Sequence, residues 1–309
     1  MSHFLRDVLI PLSEIGTNIW ALTKLKNILV PIDFSPASLD AIEAGVKTAL
    51  KANASLTFLH VVEELQPETI SVTGEARHAS KEDLRYQFEL IRESKQKLED
   101  LSVSVRRTWD VKGALEIFSL IRFGNPFHHL EEIIKEQSTD LVVMGENLHS
   151  DLEQFFFRSH AEKVVRKIGC PVLTVRQGIK IGVFKNIVFA TSMSEEEKAI
   201  GEVVANFQSL FEAEVNILRV NTPEDFQRDR SVKNYMRTFS HYVGIKNPSF
   251  YIFNDLSVGE GIQYFSEEIN ADLIVMATHG RSGFAQLFES SIAEEVVIGS
   301  SVPVLTLRV

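Results

Sequence analysis

Asp140-Leu141-Val142-Val143-Met144-Gly145, Ala161-Glu162-Lys163-Val164-Val165 and Cys170-Pro171-Val172-Leu173-Thr174-Val175-Arg176 occur in that order in the middle of the chain. They return at its end as Asp272-Leu273-Ile274-Val275-Met276-Ala277, Ala293-Glu294-Glu295-Val296-Val297 and Val302-Pro303-Val304-Leu305-Thr306-Leu307-Arg308. Asp272 follows Asp140, and Pro303 follows Pro171, by the same 132 positions. Earlier segments repeat at a spacing of 159: Asn27-Ile28-Leu29-Val30 with Asn186-Ile187-Val188-Phe189, and Leu56–Val61 with Val215–Val220. One unit is therefore present twice, and the first copy carries 27 additional residues between its second strand and the Asp140 segment.

Each copy alternates short apolar runs rich in β-branched residues with stretches of helical periodicity. Ile28–Ile32 reads as a strand, Ser35-Pro36 as a helix start and Leu39, Ile42, Val46, Ala49 and Leu50 as the apolar face of that helix. Ser194-Glu195-Glu196-Glu197 reads as a capping box at the equivalent place in the second copy. Strands follow at Ala54–Val62 and Ala213–Val220. In the first copy a helix over Lys81–Leu101, strand-like segments at Val103–Trp109 and Glu116–Arg122, and a helix over His128–Glu136 complete the path. The second copy continues with a helix near Val232–Val243, a strand at Phe250–Asn254 and a helix at Gly261–Ile269. The alternation predicts α/β architecture: two tandem doubly wound five-stranded parallel-sheet domains, joined internally by right-handed crossovers. Their expected bounds are 24–177, with an insertion at about 80–122, and 183–309, after an arm over 1–23. Gln177–Gly182 is too short to leave the two independently mobile.

At 309 residues with 44% hydrophobic and 24% charged side chains, the composition is that of globular proteins with room for two cores. A formal charge of −10 opposes association with nucleic acid or an anionic membrane. The first 23 residues offer neither a signal-peptide core nor a spanning segment, because Arg6, Asp7, Pro11 and Glu14 interrupt them. The single Cys170 excludes an internal disulfide or a multi-cysteine metal site and suits a buried core position, so the expected location is the cytoplasm.

Ligands in open parallel sheets bind beyond the carboxyl ends of the strands, where the strand order reverses. Ala277-Thr278-His279-Gly280-Arg281-Ser282-Gly283, followed by Ser290-Ser291-Ile292 at the start of the last helix, has the glycines and helix start of an anion cradle. An ordinary strand-to-helix loop would use the same residues. Gly259-Glu260-Gly261 lacks the last glycine of a dinucleotide fingerprint and reads as a helix start. His128 and His129 point to different sides of a helix and make no shared metal site, and His60 reads as a packing residue at a strand end. No nucleophile elbow or metal-ligand cluster is visible.

The Ile28–Asp33 opening, Leu59-His60-Val61-Val62, Val142–Gly145, His279–Gly283 and Cys170–Leu173 together resemble the universal stress protein family in tandem form, from about residue 25 onward. That resemblance implies an adenine nucleotide alpha-hydrolase-like, Rossmann-like fold. It also implies a non-catalytic stress-response protein that binds or senses ATP or another adenine nucleotide, with or without Mg. ATP-binding members carry Gly, two residues, Gly, nine residues, then Gly-Ser or Gly-Thr, with an early Asp and the end of the second strand holding adenosine. In the second copy these positions are Val220, Ala277, Gly280, Gly283, Ser290, Ser291 and Ile292, but Ser192 stands where the Asp belongs. In the first they are Asp33, Val61, Gly145 and Ser159, while Leu148, Asp151 and Arg158 replace the cradle residues Gly280, Gly283 and Ser290. The second copy is therefore the expected phosphate site. A nucleotide-free interaction scaffold and a slow ATPase remain as alternatives, and the partners expected are the nucleotide and an unidentified protein. Family members also resemble dimers joined through the final strand, so Pro171–Arg176 and Pro303–Val309 should pair within one chain as a pseudo-dimer, with a homodimer of whole chains also open.

Overall fold

The computed structural model describes residues 25–62, 81–109, 113–146, 169–179, 183–278 and 292–309. The first half contributes β1 (Asn27–Pro31), α1 (Pro36–Ala52), β2 (Ser55–Val62), α2 (Lys81–Trp109), β3 (Ile117–Phe123), α3 (Pro126–Glu136), β4 (Leu141–Glu146) and β5 (Val172–Arg176). The second contributes β6 (Asn186–Ala190), α4 (Lys198–Phe211), β7 (Glu214–Asn221), α5 (Asp229–Val243), β8 (Ser249–Asn254), α6 (Val258–Glu268), β9 (Leu273–Thr278), α7 (Ile292–Gly299) and β10 (Val304–Arg308).

All ten strands form one sheet in the order β3-β2-β1-β4-β5-β10-β9-β6-β7-β8. Read outward from the centre, the two halves have the same strand order. Every pairing is parallel except β5 with β10, which run antiparallel with Leu173 opposite Leu305, Thr174 opposite Val304 and Val172 opposite Thr306. The final strands thus pair inside the chain, as the pseudo-dimer expectation requires. Arg176 Nη1 also donates to the carbonyl of Ser300 across the junction at 3.0 Å. On the face carrying α1, α2, α4 and α5 a single apolar core runs through both halves, from Leu98 and Phe58 to Phe189 and Phe239. The opposite face carries two separate cores, one under α3 and one under α6 and α7.

The repeated Asn and Asp form matching knots at the amino ends of the strands. Asp140 Oδ2 accepts from the backbone N–H groups of Lys26 and Asn27, and Asn27 Nδ2 donates to the carbonyls of Gln137 and Ser138. Asp272 Oδ2 accepts from Lys185 and Asn186, and Asn186 Nδ2 donates to the carbonyls of Ile269 and Asn270. Burial pushes the Asp272 carboxyl upward, against these hydrogen bonds and Lys185, which lower it. These repeated polar residues fix the register of β1 with β4 and of β6 with β9 at the amino ends of the strands.

The structure corrects the reading of Val103–Trp109 as a strand. α2 continues without a break to Trp109, because Leu98, Ser102 and Val105 recur at helical spacing and face the core, while Val103 is 65% exposed. Ser102 Oγ lies 2.7 Å from Ser119 Oγ of β3, which ties the helix to the edge strand. Of the 27 additional residues of the first copy, 14 lengthen this helix, which has 29 residues against the 15 of α5. The capping box at Ser194 is half made. Glu197 reaches back to the Ser194 N–H at 3.4 Å, but Ser194 Oγ has no partner among the described residues, and α4 starts only at Lys198. The arm over 1–23 lies outside the described residues.

Replacing Leu98, which is 1% exposed, by Ala should cost about 2–5 kcal/mol of unfolding free energy, whereas Val103→Ala should stay within about 0.5 kcal/mol. Denaturant titration of both variants checks the helical register of α2.

Candidate functional site

The strand order reverses between β1 and β4 in the first half and between β6 and β9 in the second. Parallel strands leave a crevice beyond their carboxyl ends at such a point, because neighbouring connections depart to opposite faces. Asp33, Val61 and Gly145 lie at the carboxyl ends of β1, β2 and β4. Val220 and Ala277 lie at those of β7 and β9, and Ile292 opens α7. Gly280, Gly283, Ser290 and Ser291, together with Leu148, Asp151, Arg158 and Ser159, lie outside the described residues.

In the first crevice the turn after β1 is held by its own side chains. Asp33 Oδ1 accepts from the Ser35 N–H at 3.0 Å and from Ser35 Oγ at 2.7 Å, and Ser35 Oγ caps α1 by accepting from Ser38 N–H. Asp33 Oδ2 has no partner among the described residues, so the carboxylate retains an acceptor for a ligand. Phe34 has φ 64°, a left-handed conformation that a bulky side chain adopts only under constraint. The constraint comes from His60, whose ring stands 4.7 Å from that of Phe34 and whose Nδ1 lies 2.7 Å from the carbonyl oxygen of Ile32. Burial holds the imidazole below its ordinary pKa, against the raising effects of the Ile32 carbonyl and Asp33. A neutral His60 with Nδ1–H donating to Ile32 positions the turn, in keeping with the packing role its strand-end location suggested.

Gly145 has a packing reason to be glycine. A β-carbon built there would lie 2.3 Å from both the carbonyl carbon and the oxygen of Ala37, in the first turn of α1. The second half carries Ala277 at this position, and there the helix starts late: the counterpart of Pro36 is Glu195, yet α4 begins at Lys198.

The late start coincides with a different polar arrangement. Met193, the counterpart of Phe34, has φ 65°. Its N–H donates to Glu197 Oε2 at 2.8 Å, and the Thr191 hydroxyl donates to the same oxygen at 2.6 Å. Glu197 is 5% exposed. Its carboxylate closes the turn from within and does not face a ligand. Nothing in the repeat pattern marked Glu197 for this, since its counterpart is Ser38; the signal available was a capping-box glutamate, which the structure uses one step further back. Val220 packs beneath α6, where a β-carbon on Gly261 would lie 2.7 Å from Val220 Cγ1. Gly259 is likewise crowded by the Glu295 carboxylate, which accepts from Ser257 Oγ at 3.3 Å. The Gly259-Glu260-Gly261 segment is therefore a helix start packed against its neighbours, with Ser257 as the cap.

His128 and His129 make no joint site: His129 Nε2 lies 2.9 Å from the Phe123 carbonyl and its Nδ1 3.0 Å from Glu132. Among the described residues no cluster of His, Cys, Asp and Glu is arranged to hold a metal ion. Cys170 is buried and unpaired, and desolvation pushes its thiol up to about 12. No helix among the described residues is long and apolar enough to cross a membrane.

The sequence model of the universal stress protein family matches residues 24–176 and 255–308. The chain belongs to that family. A universal stress protein of Methanocaldococcus jannaschii is 27% identical over 152 residues, covering 49% of this chain and 82% of its own length. One of Bacillus subtilis is 28% identical over 158 residues, covering 48% of this chain and 97% of its own. A universal stress protein from Archaeoglobus fulgidus has a TM-score of 0.70 at 18% identity, covering 93% of this chain and 99% of that one. A Pseudomonas aeruginosa protein has a TM-score of 0.61 at 15% identity, covering 94% and 95%. At these identities the two structures show a shared Rossmann-like α/β fold. The family model leaves 177–254 unmatched, yet β6, β7 and β8 there take the places that β1, β2 and β3 hold in the first half.

Two substitutions separate packing from ligand contact. Gly145→Ala should destabilise the fold by about 1–3 kcal/mol, because the clash is with backbone. Glu197→Ala should cost a similar amount, about 1–3 kcal/mol, by leaving the buried Thr191 hydroxyl without its acceptor and the Met193 N–H with Thr191 Oγ1 alone. Thermal and denaturant unfolding in the absence of any ligand read both.

Proposed function

We propose that this universal stress protein is a non-catalytic stress-response protein that binds an adenine nucleotide, with its phosphates in the second half. The observation that carries this reading is the connection between β9 and α7. β9 ends at Thr278 beside the point where the strand order reverses, and α7 begins at Ile292. The Gly280, Gly283, Ser290 and Ser291 segment therefore joins a strand's carboxyl end to a helix N-terminus, the setting in which backbone N–H groups and a helix dipole receive an anion. Glu295, in the first turn of α7, is no obstacle, because its carboxylate is turned to Ser257 at the start of α6.

The first half keeps the carboxylate that suits adenosine, at Asp33, but offers Leu148 and Asp151 where the cradle needs small residues. The second keeps the cradle and has Ser192 in place of the carboxylate. We assign modest affinity to the second pocket and little to the first, with the tandem halves as separate domains of one pseudo-dimer. His60 and Glu197 are committed to backbone groups, which supports a binding role over general acid–base work.

Calorimetric titration with ATP should show binding that Gly280→Val abolishes and Asp33→Ala leaves nearly unchanged. Ser192→Asp should tighten it about tenfold or more, since a hydrogen bond to a charged group contributes about 1.5–3 kcal/mol. Absence of binding at millimolar nucleotide would favour the scaffold, and steady phosphate release with Mg would favour the slow ATPase.

A further inference from the structure

The ten-stranded sheet has two edges, and the structure treats them differently. In β3 the Gly124 N–H donates inward to Val62 and the Glu116 carbonyl accepts inward from Leu56, so the backbone groups of Ile117, Ser119, Ile121 and Phe123 point away from the sheet. Side chains occupy most of these outward carbonyls. Arg106 Nη2 donates to Ile117 O at 2.6 Å, Arg122 Nη1 to Ile121 O at 3.2 Å, and His129 Nε2 to Phe123 O at 2.9 Å. Side chains laid over an edge in this way blunt it against pairing with another strand.

β8 is the equivalent strand at the opposite end. Asp255 N–H donates inward to Asn221 O, and the register with β7 is unbroken, so Phe250, Ile252 and Asn254 present their N–H and C=O groups outward. Among the described residues no side chain bonds to these groups. The strand Ser249-Phe250-Tyr251-Ile252-Phe253-Asn254 contains no charge and no proline, in a chain of net charge −10. Natural edges of this kind usually carry a lysine, a proline or a bulge against unwanted pairing.

We propose that β8 is a homotypic docking edge, occupied by β8 of a second copy of this chain running antiparallel about a twofold axis at Ile252. Only outward residues can exchange hydrogen bonds, which restricts the registers. Centring on Ile252 uses every one of them: Ile252 faces its own copy, and Phe250 faces Asn254. Between these pairs Tyr251 falls opposite Phe253 on the face of α6, where each already packs on Phe265 at centroid distances of 4.9 and 6.0 Å. The two aromatic clusters then merge across the axis, and aromatic cross-strand pairs are among the stabilising ones. Ser249 falls opposite Asp255, so no like charges meet. Because the β3 edge is covered, the assembly closes at two copies instead of extending into a fibre.

The pairing of one short strand lies at the low end of interface sizes, so the dimer should form at about the micromolar range or above. Sedimentation equilibrium of the full chain at about 100 μM should give the mass of two chains. Ile252→Pro removes an outward N–H that makes no bond among the described residues, and Ile252→Lys sets like charges against each other on the axis. Each should shift the mass to one chain with an unchanged circular dichroism spectrum. The equivalent change on the covered edge, Ser119→Lys, should leave the dimer intact. A wild-type mass of one chain at that concentration would overturn the proposal, leaving β8 to an extended segment of another protein. A dimer unaffected by both Ile252 variants would also overturn it, by placing the contact elsewhere.

Discussion

The antiparallel pairing of β5 with β10 is the constraint on which the architecture rests. Each half alone would be a five-stranded parallel sheet whose last strand, apolar on both faces, ended in open backbone groups. Joining the two last strands satisfies those groups and places Val172, Leu173, Val175, Leu305 and Leu307 in the centre of a ten-stranded sheet. Because the strands meet antiparallel, the halves are related by a rotation that brings α1 and α4 to the same face, and one apolar core becomes continuous across the junction. The opposite face, where the cores stay separate, is the one on which α3, α6 and α7 are free to differ.

That symmetry puts both crevices at the carboxyl ends of the strands at fixed places and allows them to diverge in chemistry. The knots built from Asn27 with Asp140 and from Asn186 with Asp272 hold the amino ends of the strands in the same way in both halves. At the carboxyl ends the solutions differ. One turn is closed by Asp33, Ser35 and a His60–Phe34 contact, with a helix that starts early and demands Gly145. The other is closed by a buried Glu197, with a helix that starts late beside Ala277. Phe34 and Met193 share the left-handed backbone conformation through this divergence, so the turn shape is retained while the groups that enforce it have been exchanged.

The outer edges diverge in the same sense. α2, nearly twice the length of α5, brings Arg106 over one edge strand, and no side chain among the described residues bonds to the outward groups of the other. A duplication that closes one pair of edges at the centre leaves one edge at each end, and among the described residues side chains cover the β3 edge alone.

The sequence by itself determined the duplication, the parallel α/β class, the positions of most strands and helices, the pairing of the final strands and the burial of Cys170. The pairing of the final strands was what the family resemblance implied; each of the others follows from a repeated pattern or from periodicity within a single segment, which are local properties. It misread Val103–Trp109, because a short run of alternating apolar residues satisfies strand and helix periods alike; contact of Leu98, Ser102 and Val105 with the sheet selected the helix. It marked Gly145 as a ligand glycine, whereas the approach of Ala37 from another element supplies a packing reason. It could not assign Glu197 to Thr191 and Met193, or Arg106 and His129 to the carbonyls of β3. Those partners are chosen by where the chain returns in space, and only the tertiary structure decides that.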